Sequence, residues 1–346
     1  MYKPVIAISM GDPAGIGAEI IVKALLDHNI NSICIPIVVG DKSVISDAID
    51  LLKRDADIHI IHNPEEALGK SGTIDLIDLG LFENNYWEYG KVSKQTGFAS
   101  YKYVEKIISL AMEGLVHATV TGPITKESLH LAGFKYAGHT EIYADLTNTK
   151  NYGMLLTSSS LRVIHVTTHC SLKNACEKIK KDRVLNVIKL ANEAMLLLGI
   201  AEPKIAVAGL NPHSSENGLF GSEENEEIIP AIKEAQEIGI NVEGPIPPDT
   251  VFVKAMSKMY DIVVAMYHDQ GHIPLKLSGF KIDPTTGAFT SVSGINITVG
   301  LPIIRTSVDH GTAFDKAGKG IANEESMVES IELAVTMAKN KFNLPC

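Results

Sequence analysis

The sequence predicts an α/β protein with a largely parallel sheet, and three observations predict it. Short apolar runs of strand length recur along the chain. Helical patterns lie between many of them. No internal repeat, low-complexity tract or Pro/Ser-rich linker breaks the alternation. The 346 residues are 45% hydrophobic and 21% charged, enough for two domains or one large α/β unit. With no linker between halves, any domain division is expected to be made by chain crossovers.

The first strand is 5–10, an apolar run closed by Gly11-Asp12-Pro13. A turn with GxxxGxG spacing follows, then a helical pattern to about Asp27. Strand, glycine-rich turn and helix start together form the geometry that binds phosphate through free backbone N–H groups. The spacing is not the dinucleotide fingerprint, and a tight packed turn explains it equally well. Further strands are expected at 34–39, 58–61, Ala118–Thr121, 154–157, 162–167, Ile205–Ala208, Ile262–Ala265 and Ile295–Val299. The main helices are expected at 99–115, 183–198, 222–238 and 324–339. Ser222 can cap its helix, Pro230 kinks or restarts it, and the acidic run 223–227 reads as a solvated first turn. Residues 80–96, with the single Trp87, read as a surface excursion.

A net charge of −10 argues against a general nucleic-acid or anionic-membrane surface. An anionic substrate must therefore meet a locally basic pocket. Cys34, Cys170, Cys176 and Cys346 form no CxxC pair and read as free thiols of a reducing cytoplasm. No apolar run approaches membrane-span length, and the N-terminal run is too short for a signal segment.

The densest collection of ligand-binding groups runs from Tyr267 to Gly311. Of twelve histidines, five sit in unusual company: His139 before a helical run, His169, His213 and His268 each just past a strand, and His310 before Gly311. In a parallel sheet the C-terminal strand ends line the ligand crevice, so the three post-strand histidines could converge as a divalent-metal site. Taken singly, each is more economically a structural histidine. The HxxxH pairs His165/His169 and His268/His272 would share a face only on a helix. The first pair falls on a strand pattern, and the second brackets Gly271 and runs into Pro274, which disfavours a helix there. His165 and His272 are therefore expected to be structural or supporting. For anions, Lys126, Lys276 and Arg305 are the candidates.

Asp309-His310-Gly311-Thr312-Ala313-Phe314-Asp315-Lys316-Ala317-Gly318-Lys319-Gly320-Ile321-Ala322-Asn323 resembles the NAD-binding loop of isocitrate and isopropylmalate dehydrogenases. Together with Gly11–Gly17, Gly138-His139-Thr140-Glu141, Asn211-Pro212-His213 and Tyr267-His268-Asp269-Gln270-Gly271, the pattern is similar to the 4-hydroxythreonine-4-phosphate dehydrogenase (PdxA) family. The segments around His169, His213 and His272, and the long connector 277–295, look like its D-threonate/D-erythronate 4-phosphate dehydrogenase branch. The resemblance implies two α/β/α domains flanking an interdomain cleft, as in isocitrate dehydrogenase: 1–140 with 306–346 on the cofactor side, and 141–305 for metal, substrate and dimerisation. It implies His169, His213 and His268 as metal ligands. Substrate contacts would be His139, Thr140, Lys276, Asn296 and Arg305. His310, Gly311, Thr312, Gly318, Gly320 and Asn323 would bind the cofactor.

The implied enzyme is a cytoplasmic homodimer with a shared active site, using NAD (or NADP) and a divalent metal such as Zn, Co, Mg or Mn. It would oxidise a four-carbon 3-hydroxy acid 4-phosphate at C3 and release CO2, leaving a three-carbon ketone phosphate. The metal would act as Lewis acid, and Lys276 and Asp269 are the candidate acid–base groups. A metal-dependent lyase or aldolase on a phosphorylated sugar acid, and a non-catalytic phosphate-ligand binder, are the alternatives. Neither needs a nucleotide loop.

Overall fold

The computed structural model describes residues 2–82, 87–158, 160–282, 284, 289–292 and 294–345. The chain splits into two compact units, Met1–Lys150 with Leu301–Cys346, and Asn151–Gly300.

In the first unit the strands lie in the order Asp57–Ile60, Thr73–Asp78, Ile35–Gly40, Val5–Ser9, Ala118–Thr121 and Arg305–Val308, all parallel. The four innermost strands carry almost wholly buried side chains, as expected where helices cover both faces. Helix Lys94–Met112 starts where Ser93 accepts a hydrogen bond from Thr96 N at 3.1 Å, which satisfies one orphan donor of its first turn. Thr73–Asp78 and Arg305–Val308 were not among the expected strands. Arg305, at the head of the latter, is one of the anion-binding candidates.

The turn 11–17 is packed shut. Asp12 N donates to Pro123 O, Ala14 N to Asp12 Oδ1, Gly15 N to Asp12 O and Ile16 N to Thr312 O. A Cβ on Gly11 would strike Pro123 O, and one on Gly17 would strike Met10 O. These donors and this space are already taken, so the turn acts as a tight connector rather than a phosphate cradle.

The second unit is mixed. Its strand order is Ile295–Val299, Gly153–Thr157, Arg162–His165, Ile262–Ala265, Ile205–Ala208 and Val242–Ile246. The first two pairings are antiparallel and the rest parallel. Its core includes Leu156, Val163, Ala206, Val263, Ala265 and Leu275. Strands Phe280–Ile282 and Phe289–Val292 pair antiparallel within the 277–295 connector, of which 283, 285–288 and 293 lie outside the described residues, as does Cys346.

Two sequence expectations are corrected here. His268–Gly279 is a helix, despite Gly271 and Pro274. Tertiary packing overrides the local propensity: Gly271 has no Cβ, so the helix lies directly on strand Arg162–His165. A Cβ on Gly271 would stand 2.6 Å from Val163 Cγ1 and collide with His165 Nε2. The acidic run 223–227 is not merely a solvated turn, because Glu224 is fully buried. Pro230 has no N–H to continue an α-helical ladder, and Glu224–Ile228 widens into a π turn in which Ile229 N bonds Glu224 O, before helix Ile229–Glu237.

Gly271→Ala tests the close approach. Helix propensity alone would favour Ala, but overpacking against His165 and Val163 should win, lowering stability by about 1–3 kcal/mol in denaturant melts. An unchanged or raised midpoint would refute it.

Candidate active site

The second unit carries a column of imidazoles. Strand Arg162–His165 ends in His165, in register beside Ala265, and the next strand's exit, Tyr267-His268, starts the helix His268–Gly279. One helical turn brings His268 and His272 together, their rings stacked at 3.6 Å between centroids. His272 lies 4.7 Å from His165, and His268 lies 6.4 Å from His165 and 6.0 Å from His169. The HxxxH spacing at 268/272 is thus a real face-sharing pair. His165 is almost fully buried, and burial, with the neighbouring imidazoles, pushes it down to about 3, so it is neutral.

A cavity of about 490 Å³ is lined by His169, Cys170, Tyr267, His268 and Asp269 among others. His268 Nδ1 lies 2.6 Å from Asp269 Oδ1. A carboxylate on one ring nitrogen orients the imidazole and leaves Nε2 to act as a ligand. With Zn–N near 2.0–2.1 Å, two imidazoles at a tetrahedral angle on one ion have ring centroids roughly 5 Å apart. His169 and His268, at 6.0 Å, stand somewhat wider than that. His213 lies beyond strand Ile205–Ala208, which neighbours Ile262–Ala265. Among the described residues, no three His, Cys, Asp or Glu side chains already stand grouped as a metal site, so His213 is not drawn in beside the other two. Lys276 Nζ, two turns along the helix, sits 4.3 Å over the Phe280 ring. Asn296, on strand Ile295–Val299, has a buried Oδ1 with no hydrogen-bond partner among the described residues.

The first unit holds the other candidates. Arg305 opens strand Arg305–Val308 and is 2% exposed. It donates to Thr121 Oγ1 at 2.9 Å and lies 5.7 Å over the Tyr143 ring. Burial lowers its guanidinium to about 10, so it stays a cation at neutral pH. His139 starts helix His139–Leu146, with Thr140 in the first turn. The residue keeps some exposure, yet its Nε2 is sealed from solvent and has no partner. Burial, reinforced by the Arg305 charge, holds it well below the usual histidine range. A neutral imidazole and a buried guanidinium make a basic, donor-rich spot on an acidic protein, suited to an anion. Thr121 and Tyr143, which seat Arg305, were missed because nothing in their local spacing marks them. Lys126 is exposed at a helix start.

The segment after strand Arg305–Val308 is a fixed ledge. Glu19 Oε1 accepts from Ala322 N at 2.6 Å and from Lys23 Nζ at 3.0 Å. Lys23 Nζ also donates to Gly320 O and Ala322 O, at 3.1 and 2.5 Å. Thr312 binds Ile16 N through its carbonyl and Thr125 through its hydroxyl. Gly318 takes φ +73° against the Tyr89 ring, where a side chain would collide. Gly311 has open space where a Cβ would stand, and His310 Nδ1 lies 3.0 Å from Gly311 O. Asn323 Oδ1 accepts from Glu325 N, ahead of helix Glu325–Phe342.

An α/β fold with an imidazole-lined cavity, a buried arginine and a glycine-rich ledge is compatible with a dehydrogenase-type enzyme, and the likenesses to known proteins show that class. A family model described as "Pyridoxal phosphate biosynthetic protein PdxA" matches residues 32–334. The chain is 46% identical over 341 residues to the D-threonate 4-phosphate dehydrogenase of Cupriavidus necator, covering 98% of this chain and 99% of that one. It is also 46% identical over 346 residues to the D-threonate 4-phosphate dehydrogenase of Salmonella typhimurium, covering 98% and 100%. A solved 4-hydroxythreonine-4-phosphate dehydrogenase from Klebsiella pneumoniae superposes with TM-score 0.86 at 45% identity, covering 97% and 98%. The chain belongs to the PdxA family and is an oxidoreductase. The dehydrogenase relationship removes the lyase and binding-protein alternatives and implies a nicotinamide cofactor. No helix among the described residues is long and apolar enough to cross a membrane.

The His139 assignment has a pH signature. Its folded-state pKa is depressed, so its contribution is fully present above the unfolded value near 6.5 and is lost as pH falls. His139→Gln should therefore show a flatter loss of stability between about pH 7 and pH 5 than the parent in chemical denaturation. Parallel curves would contradict a buried neutral imidazole.

Proposed function

We propose that this protein oxidises D-threonate 4-phosphate, or its close relative D-erythronate 4-phosphate, at C3 and releases CO2, with NAD (or NADP) as acceptor. The observation that carries this reading is the 46% identity, over nearly the whole of both chains, to D-threonate 4-phosphate dehydrogenases. 4-Phosphohydroxy-L-threonine, which differs at C2, is the second candidate, favoured by the names of the solved relatives.

In this reading Arg305, His139 and Thr140 hold an anionic end of the substrate, with Asn296 a further polar contact. A buried cation and a neutral donor cost little reorganisation when phosphate or carboxylate arrives. His169, His213 and His268 would hold a divalent ion, and their all-imidazole donor set favours zinc or cobalt over magnesium. When bound, such an ion supplies Lewis-acid stabilisation for negative charge developing on the substrate oxygens. Asp269 is engaged with His268 and is 71% exposed, which suits it to orienting that ring. Lys276 is then the acid–base group. It would take the C3 hydroxyl proton, and a bound nicotinamide would supply the hydride acceptor for C3. The C1–C2 bond then breaks, CO2 leaves, and C2 is protonated to give the three-carbon ketone phosphate. The segment from His310 and Gly311 through Thr312, Gly318, Gly320 and Asn323 would receive the nucleotide, with Gly311 giving an open approach.

The free Cys34, Cys170 and Cys176 suit a reducing cytoplasm. Ile273 and Leu277, 58% and 79% exposed on the helix that carries Lys276, support a homodimer formed beside that residue. Sedimentation equilibrium should give twice the chain mass, and a monomer at micromolar concentration would remove this part of the proposal.

The decisive assay follows absorbance near 340 nm with NAD or NADP, Zn²⁺ or Co²⁺, and each of the three phosphorylated acids. D-Threonate or D-erythronate 4-phosphate should give a kcat/KM at least about tenfold above phosphohydroxythreonine, a difference of roughly 1.4 kcal/mol in transition-state binding. The reverse order would move the protein to the amino substrate, and no reduced nicotinamide with any of them would end the proposal.

A further inference from the structure

The connector 277–295 has no part in the chemistry above, yet its first strand meets the acid–base lysine. Phe280 ends helix His268–Gly279 in an extended conformation, at φ −104° and ψ 132°. Its N–H donates to Lys276 O, one helical turn back, and so satisfies an orphan carbonyl of the helix end. Its ring meets the same residue, with Lys276 Nζ 4.3 Å from the centroid. Phe280 therefore engages Lys276 through both backbone and side chain. Lys276 is half-buried, which strengthens the attraction between ammonium and ring.

The ring is held from outside the helix. Phe280 opens strand Phe280–Ile282, where it pairs with Val292 of the antiparallel strand Phe289–Val292. The helix end is fixed separately. Ser278 Oγ donates to Leu275 O at 2.7 Å. It also lies 3.1 Å from Ser158 Oγ, just past strand Gly153–Thr157. Leu275 is fully buried in the core of the unit. A lysine stem resting on a surface aromatic would need none of these ties. The aromatic partner also matters chemically. A ring face attracts an ammonium through its quadrupole, yet it carries no net charge to pair with it. A carboxylate in the same place would form a full ion pair and favour the charged lysine. A ring thus fixes the position of an amine without tying up its proton.

We infer that Phe280 is a positioning residue for Lys276: its ring fixes the Nζ that exchanges the substrate proton. The paired strands Phe280–Ile282 and Phe289–Val292 then serve the reaction by fixing that ring. The inference rests on Lys276 as the acid–base group, and its test separates the two.

In the full-length protein Phe280 is replaced by phenylalanines carrying one, two or three ring fluorines, and in separate variants by Phe280→Leu and Phe280→Tyr. Fluorine weakens the negative ring face while hardly changing its shape. Circular dichroism and a thermal melt establish folding. Two quantities are read. The first is the rate at which trace acetic anhydride acetylates Lys276, measured by mass spectrometry against the other lysines. The second is kcat and KM with NAD or NADP, Co²⁺ and whichever of the three phosphorylated acids turns over fastest. Acetylation should rise with each fluorine, to about 2–5-fold above the parent at three fluorines and in Phe280→Leu, the release expected from losing one cation–π contact. In the same order kcat should fall, by about tenfold in Phe280→Leu, with a smaller change in KM. Phe280→Tyr, which keeps a ring face, should stay near the parent in both. A flat acetylation series, a kcat that does not follow it, or equal losses in Phe280→Leu and Phe280→Tyr would overturn the positioning role while leaving Lys276 its chemistry. A parent without turnover, or a parent-like kcat in Lys276→Met, would overturn the acid–base reading and this inference with it. If Phe280→Leu does not fold, the fluorinated series decides alone.

Discussion

The second unit depends on one close approach. Gly271 lets helix His268–Gly279 lie on strand Arg162–His165 at a distance no side chain would permit. That contact brings the stacked rings of His268 and His272 against His165 at the end of the strand. His165, forced to be neutral by burial, acts as a wall rather than a charge. The helix survives an internal proline because packing, not propensity, holds it.

A second theme is that buried charge is spent on backbone. Glu19 and Lys23 satisfy each other and then the Gly320–Ala322 segment. Glu224 satisfies the Leu210–Asn211 segment. In each case an ionisable side chain on a helix fixes a loop that carries candidate ligand-binding groups. Fixing the loops in advance lowers the ordering entropy that ligand binding would otherwise cost. Arg305 differs. It is seated by Thr121 and Tyr143 with its charge kept, and that charge is what an anionic substrate would meet.

Much of the fold was readable locally. Ala118–Thr121, Ile205–Ala208, Ile262–Ala265 and Ile295–Val299 emerge as the apolar runs outlined them, because a strand buried on both faces needs nothing but continuous apolar residues. Arg305–Val308 escaped notice because Arg-Thr-Ser is polar, and only its pairing with Ala118–Thr121 makes it a strand. Val242–Ile246 escaped because it contains Gly and Pro, which an edge position tolerates. The glycine-rich turn looked like an anion site in sequence, yet Pro123, Thr312 and Met10, all remote or outside the motif, fill it.

By itself the sequence determined the α/β class, the histidines that follow strand ends, the basic groups and the glycine-rich ledge. Each of these is written in short-range pattern: apolar run length, residue type and the position of glycine. Only the tertiary structure decided that HxxxH at 268 and 272 shares a helical face, that Glu224 is a buried clamp and that His139 is neutral beside a buried Arg305. Those outcomes depend on burial and on partners tens to hundreds of residues away. Local spacing carries no information about a neighbour brought in by the fold.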